Sequence, residues 1–101
     1  MVAIQNTLNQ TLLYLDGEYI LNLGRKRIGR VEGAVLMNLQ GQPIGGVEAD
    51  RVLDPAGRHA FTIRGNNVLD RRGVSIATIE EGTLLDKGLL AAAFGVFCTD
   101  G

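Results

Sequence analysis

What this chain has little of sets its limits. In 101 residues it holds one cysteine, Cys98, one histidine, His59, two prolines and no tryptophan. A lone cysteine can form no internal disulfide, so packing and hydrogen bonds must hold the fold, and a reducing, cytoplasmic setting is expected. A lone histidine excludes a multi-histidine metal site, and the only serine, Ser75, lies in a different repeat from His59, so no Ser-His-Asp arrangement is suggested. No apolar run reaches the roughly 18 residues of a membrane span, and residues 1–15 lack the basic segment of a secretory signal. No membrane partner is expected. An excess of one charge is missing too: ten basic and eleven acidic residues nearly cancel, which removes the global field that would draw nucleic acid. No cofactor and no metal are expected.

What the chain does have is a strict period of sixteen. Stepping by sixteen from Asn6 gives Asn22, Asn38, Asp54, Asp70 and Asp86, and stepping from Ile4 gives Ile20, Leu36, Val52, Val68 and Leu84. Later columns run Leu12, Ile28, Ile44, Ala60, Ile76, Ala92 and Leu15, Val31, Val47, Ile63, Ile79, with Gly95 the one departure. The reading is a single repeat domain over 1–101, with six units at about 3–18, 19–34, 35–50, 51–66, 67–82 and 83–98. Each unit is too small to bury its own apolar side and must share a core with its neighbours.

Within a unit two short apolar runs flank a turn. Asp54-Pro55-Ala56-Gly57 has the residues that a type I turn prefers, with a carboxylate first to accept a backbone N–H, a fixed-φ proline second and a glycine where φ is positive. Asp70 to Gly73 and Asn38 to Gly41 repeat it; Asn22-Leu23-Gly24 and Asp86-Lys87-Gly88 bring the glycine one place earlier, and the first unit has Asn9 there. The other junction carries Asp16-Gly17, Glu32-Gly33, Ala49-Asp50, Gly65-Asn66 and Glu81-Gly82, two-residue hairpin signals. The pattern predicts an all-β chain of about twelve strands without a helix, because fourteen glycines leave no window with a continuous 3.6-residue apolar stripe. The column Leu13, Gly29, Gly45, Phe61, Ala77, Ala93 is mostly small, which predicts backbones converging at an axis where six hairpins meet.

Two architectures suit such a unit. A parallel β-solenoid would stack Asp54, Asp70 and Asp86 in one ladder of like charges about 4.8 Å apart, whereas a closed pseudo-symmetric ring of hairpins separates them and leaves no sheet edge exposed. The ring is favoured and the solenoid is the alternative. Leu53 to Ile63 and Leu69 to Ile79, which share Leu-Asp-x-x-Gly, resemble the hairpin unit of the β-flower proteins, small bacterial repeats whose hairpins radiate like petals about a central axis. The resemblance covers units two to five and departs at both ends. It implies the closed ring and offers no catalytic residue to carry over.

Two surface features invite a functional reading. The Asn/Asp column could suggest a cation site, but turns on different hairpins diverge while calcium needs six to eight oxygens converging at about 2.3–2.6 Å, so the column is read as turn caps. Charge sorts with the period: Arg25, Lys26, Arg27, Arg58, His59, Arg71, Arg72 and Lys87 surround the Asp-x-x-Gly turns, while Asp16, Glu18, Glu32, Glu48, Asp50, Glu80 and Glu81 lie at or beside the opposite turns. The basic rim is a candidate site for an anionic ligand or carbohydrate, since arginines bind carboxylate, phosphate or sulfate in bidentate fashion. His59 is expected as a solvated turn residue and Cys98 as a packing residue. The apolar run Gly88 to Cys98 is expected either to close the ring against the first strand or to present an apolar face to a partner. With apolar columns on both strand faces, a homo-oligomer is expected. The function expected is a non-enzymatic, self-associating interaction or structural module.

Overall fold

The computed structural model describes residues 1–98; the last three residues of the expected domain span lie outside the described residues. The Asn/Asp column does what its chemistry predicts in five of its six positions. In four of these one side-chain oxygen accepts two backbone N–H groups of the same turn, as when Asn38 Oδ1 takes Gln40 N and Gln42 N, or Asp54 Oδ1 takes Ala56 N and Arg58 N, at 2.9–3.0 Å, while Asn22 Oδ1 accepts Lys26 N alone. The residue three places on has positive φ: Gly41, Gly57 and Gly73 at 81–83°, but Asn9 at 61° and Arg25 at 63°. In the second turn, therefore, Arg25 rather than Gly24 takes the left-handed position.

These turns fold five hairpins: β1 (Val2–Asn6) with β2 (Thr11–Asp16), β3 (Tyr19–Leu21) with β4 (Arg27–Glu32), β5 (Val35–Met37) with β6 (Pro43–Glu48), β7 (Arg51–Leu53) with β8 (His59–Arg64), and β9 (Asn67–Leu69) with β10 (Ser75–Thr78). Each carries one bulge, and the unpaired residue is always the Leu12, Ile28, Ile44, Ala60, Ile76 column. A bulge bends its strand and raises its twist, and five in register turn a ribbon into a ring. Two-residue turns link the hairpins, with positive φ at Gly17, Gly33, Ala49 and Gly65. The second residue of each offers its carbonyl to the next petal: Glu18 to Val31 N, Ala34 to Val47 N, Asp50 to Ile63 N and Asn66 to Ile79 N, at 2.8–2.9 Å. Pairing of Gln5 with Thr78 and Asn6 with Ala77 then joins β1 to β10 and closes a ten-stranded antiparallel barrel. The closed ring is thus the architecture, and the solenoid is not.

The sixth unit departs from the expectation of twelve strands and no helix. Leu84–Phe97 is an α-helix, α1, that fills the barrel. Thr83 Oγ1 accepts Asp86 N and Asp86 Oδ2 accepts Thr83 N, both at 3.1 Å, a reciprocal cap that satisfies two otherwise orphan donors. Asp86, the last member of the Asn/Asp column, therefore caps a helix. The Leu-Leu-Ala-Ala-Ala segment supplies strong helix formers. No apolar stripe betrays this helix because none exists: Gly88 to Phe94 are buried without a break, as a helix wrapped by a sheet requires. Gly88 to Phe94 of the expected run are core, Gly95 to Phe97 are half-buried and Cys98 is exposed, so the run is a central helix and not a closing strand.

The helix and the next petal's backbone together give the small column its reason. A Cβ on Gly29 would lie 3.3 Å from both Met37 O and the Phe97 ring, and one on Gly45 would lie 3.1 Å from Leu53 O and 3.5 Å from Ala92 Cβ. Backbones of neighbouring hairpins do converge at this column, and they converge around a helix. Where the column is large, at Phe61, the helix gives way: a Cβ on Gly95 would sit 2.8 Å from Phe61 Cε2, and Phe61 packs on Phe94 with ring centroids 5.9 Å apart. That explains Gly95 as the departure from its column. Around the helix Ile4, Ile20, Leu36, Val52 and Val68 form a fully buried belt, one per petal, each stabilising by roughly 1.5–3 kcal/mol.

Candidate functional site

Contacts fix the direction of α1. Near its start, Lys87 Nζ donates to Gly65 O at 3.0 Å and to Asn66 Oδ1 at 2.9 Å, both in a two-residue turn; near its end, Phe97 packs beside Gly29, and Cys98 borders the same depression as the turn at Asn22. The helix N-terminus thus lies at the two-residue-turn end of the barrel and its C-terminus at the Asx-turn end. Charge follows the same axis. Six cations (Arg25, Lys26, Arg27, Arg58, Arg71, Arg72) against two carboxylates leave the Asx end four positive, while eight acids against Arg30, Arg51, Arg64 and Lys87 leave the other end four negative. Acids near a helix N-terminus and cations near its C-terminus are each the favourable arrangement.

The structure spreads the basic residues more than their spacing suggests. Lys87 is at the opposite end, on the 65–66 turn. Arg25 stands 5.4 Å over the Tyr14 ring and Arg27 3.9 Å over Tyr19, so both lean on the outer wall; close stacking of this kind contributes about 0.5–1 kcal/mol when exposed. Arg58 and Arg72 fold back on their own turn caps, Arg58 Nε 3.3 Å from Asp54 Oδ2 and Arg72 Nη2 3.5 Å from Asp70 Oδ2. Two backbone donors and that guanidinium hold the carboxyls of Asp54 and Asp70 below the usual range, the backbone bonds from Arg58 and from Val74 counting most. Lys26 is exposed. Arg71 differs from the rest: its Nε donates to His59 O at 3.0 Å, and no carboxylate pairs with it among the described residues. His59 itself opens β8, is exposed, and its Nε2 meets Thr62 Oγ1 at 2.8 Å.

Two features of this end escaped the sequence reading. Leu8, Leu23 and Leu39 occupy the tips of three successive Asx turns and are 74, 59 and 52 % exposed, so the rim has an apolar arc beside its basic one. A leucine at a turn position that points to solvent was the available signal. The second is a half-open cleft of about 430 Å³ between the β7–β8 and β9–β10 petals and the last turns of α1. Val52, Ala60, Phe61, Ala92 and Val96 make its floor, and Asp54, Asp70, Arg71 and Arg72 stand at its mouth. A more open depression lies across the rim, lined by Leu12, Ile28 and Phe97 and by no charged residue.

Cys98 caps the C-terminus of α1 and is exposed, not packed as expected; partial screening by the barrel end still pushes its thiol above the ordinary range. That leaves little thiolate at neutral pH. No helix among the described residues is long and apolar enough to cross a membrane. No curated protein and no solved structure matches the chain. A family model described as the 5-fold beta-flower protein matches residues 2–98, and its fivefold character agrees with the five hairpin petals around one helix. The chain belongs to this family of 5-fold β-flower proteins.

Proposed function

We propose that this protein is a non-enzymatic interaction module that associates with copies of itself end to end. The observation that carries the reading is the division of the surface into two complementary ends. The Asx end is net positive and bears exposed Leu8, Leu23 and Leu39; the other end is net negative and bears exposed Met1, Val35, Leu84 and Leu85. Apolar residues at both faces supply burial, opposite charge supplies orientation, and stacked copies bring the C-terminus of one α1 towards the N-terminus of the next. Such a contact is heterologous, so its products are rings or open stacks rather than a closed twofold dimer. The helix occupies the interior where an enzyme of this shape would place a pocket, which favours an outer surface as the working part.

Sedimentation equilibrium across a range of concentration and salt tests this. Association that strengthens at low salt and is lost in Leu39→Glu supports the reading. A single 10.8 kDa species at every concentration refutes it.

A further inference from the structure

We propose that the cleft between the fourth and fifth petals binds an anionic amphiphile, its apolar chain lying on Phe61, Ala92 and Val96 and its head at Arg71. At about 430 Å³ the cleft is of the size that holds small molecules, for which about 300–1,000 Å³ is usual. Two departures from the repeat accompany it. At the bulge, Ala60 stands where the other petals carry Leu12, Ile28, Ile44 and Ile76, and on the helix Gly95 stands where an apolar side chain is due. Both line or border the same space. Elsewhere around the ring the bulge position is filled by a large aliphatic group.

The sign of the head group follows from the charges at the mouth. Asp54 and Asp70 are committed, each with one oxygen on two backbone N–H groups and the other beside a guanidinium. Arg58, which stands outside the cleft lining, pairs with Asp54 and Arg72 pairs with Asp70, which leaves the one positive charge of Arg71 at the mouth. The helix C-terminus subtracts about half a charge, so the mouth stays positive. Arg71 is the donor left over, and its Nε bond to His59 O anchors the guanidinium at the cleft while the Nη groups stay available. The inference does not depend on self-association.

Calorimetric titration of the full chain with sodium decanoate below its micellar concentration, beside decyltrimethylammonium and decanol, tests it. We expect one decanoate per chain. Loss of a charge-assisted contact in Arg71→Gln should weaken decanoate about tenfold or more while leaving decanol unchanged. Ala60→Ile, which installs the residue carried by three other petals, should abolish binding of all three probes. The Leu39→Glu chain, altered two turns away, should bind as the parent does. Absence of decanoate binding, equal affinity for decyltrimethylammonium, or unchanged binding by a folded Ala60→Ile chain overturns the proposal. Should Ala60→Ile not fold, Arg71→Gln decides alone, and equal affinity for decanoate before and after that substitution overturns the head assignment.

Discussion

Gly88→Ala sets two effects of opposite sign against each other. Alanine in a helix interior is favoured over glycine by about 0.8–1.0 kcal/mol, so an unencumbered helix should gain from the change. In this barrel the new Cβ would lie 2.7 Å from both Cγ1 and Cγ2 of Val47 and 3.3 Å from its Cβ. Valine is short and stiff at χ1, so it cannot swing away as a long side chain could. Overpacking of a tight core costs roughly 1–3 kcal/mol, and a double methyl clash belongs in the upper part of that range. The net expectation is a loss of about 1–2 kcal/mol, with a melting temperature lower by roughly 4–8 °C per kcal/mol for a domain of this size. Val47→Ala removes both methyls from a half-buried site, at a cost of about 1 kcal/mol, and also removes the clash. The double variant should therefore be more stable than Gly88→Ala alone, with a coupling of about 2 kcal/mol measured by denaturation of all four chains. A Gly88→Ala chain that melts above the parent, or additivity within about 0.5 kcal/mol, would refute the seating of α1 against β6.

Other expectations concern the turns and the cap. Ala49, with φ of 58°, holds a left-handed position that its petal equivalents give to glycine; Ala49→Gly should raise stability by about 0.5 kcal/mol, since relief of about 1–2 kcal/mol of strain exceeds the entropy that glycine adds to the unfolded chain. Asn9→Gly should gain less, because asparagine tolerates that region, and thermal melts of the two variants give the order. Because the folded carboxyls of Asp54 and Asp70 titrate below their unfolded value, their contribution is present above about pH 4 and is lost as pH falls through the folded value. Asn caps the same turn at Asn6 and Asn38, so Asp54→Asn/Asp70→Asn should keep the turns yet flatten the decline of melting temperature below pH 4; an unchanged decline would remove these two groups as its source. Thr83→Ala breaks the reciprocal cap with Asp86 and should cost about 1 kcal/mol by urea denaturation; Thr83→Ser, which keeps the hydroxyl, should restore most of it.

How much was legible varies with what fixed each residue. Turns are local, so Asp54-Pro55-Ala56-Gly57 announces its geometry, and the ring follows from like charges and unprotected edges. The helix was hidden for a specific reason: Leu84 to Phe97 keeps the column phase of the strands at Leu84, Asp86 and Ala92, and being apolar all round it offers no helical stripe. Its Thr83–Asp86 cap pair was the local signal that could have found it. The basic rim was visible as a phase of the repeat, but whether an arginine faces a ligand or its own turn is a tertiary matter. Arg58 and Arg72 differ from Arg71 only in where the side chain ends.

A helix turns by about 100° per residue, while successive petals stand one fifth of a circle apart. The two rotations share no common step over the length of α1, so no two petals meet the helix in the same way. The outer turns are free to stay alike, and they do. The inner surface must be individual at every petal, from Gly29 and Gly45 to Phe61 and Ala77. A chain of five identical units could reproduce every turn and still find no helix that fits all of its walls, and exchanging inner residues between petals, such as Gly29 with Phe61, should fail although composition is unchanged. The symmetry of this protein is a property of its rim, and its centre is where that symmetry has to break.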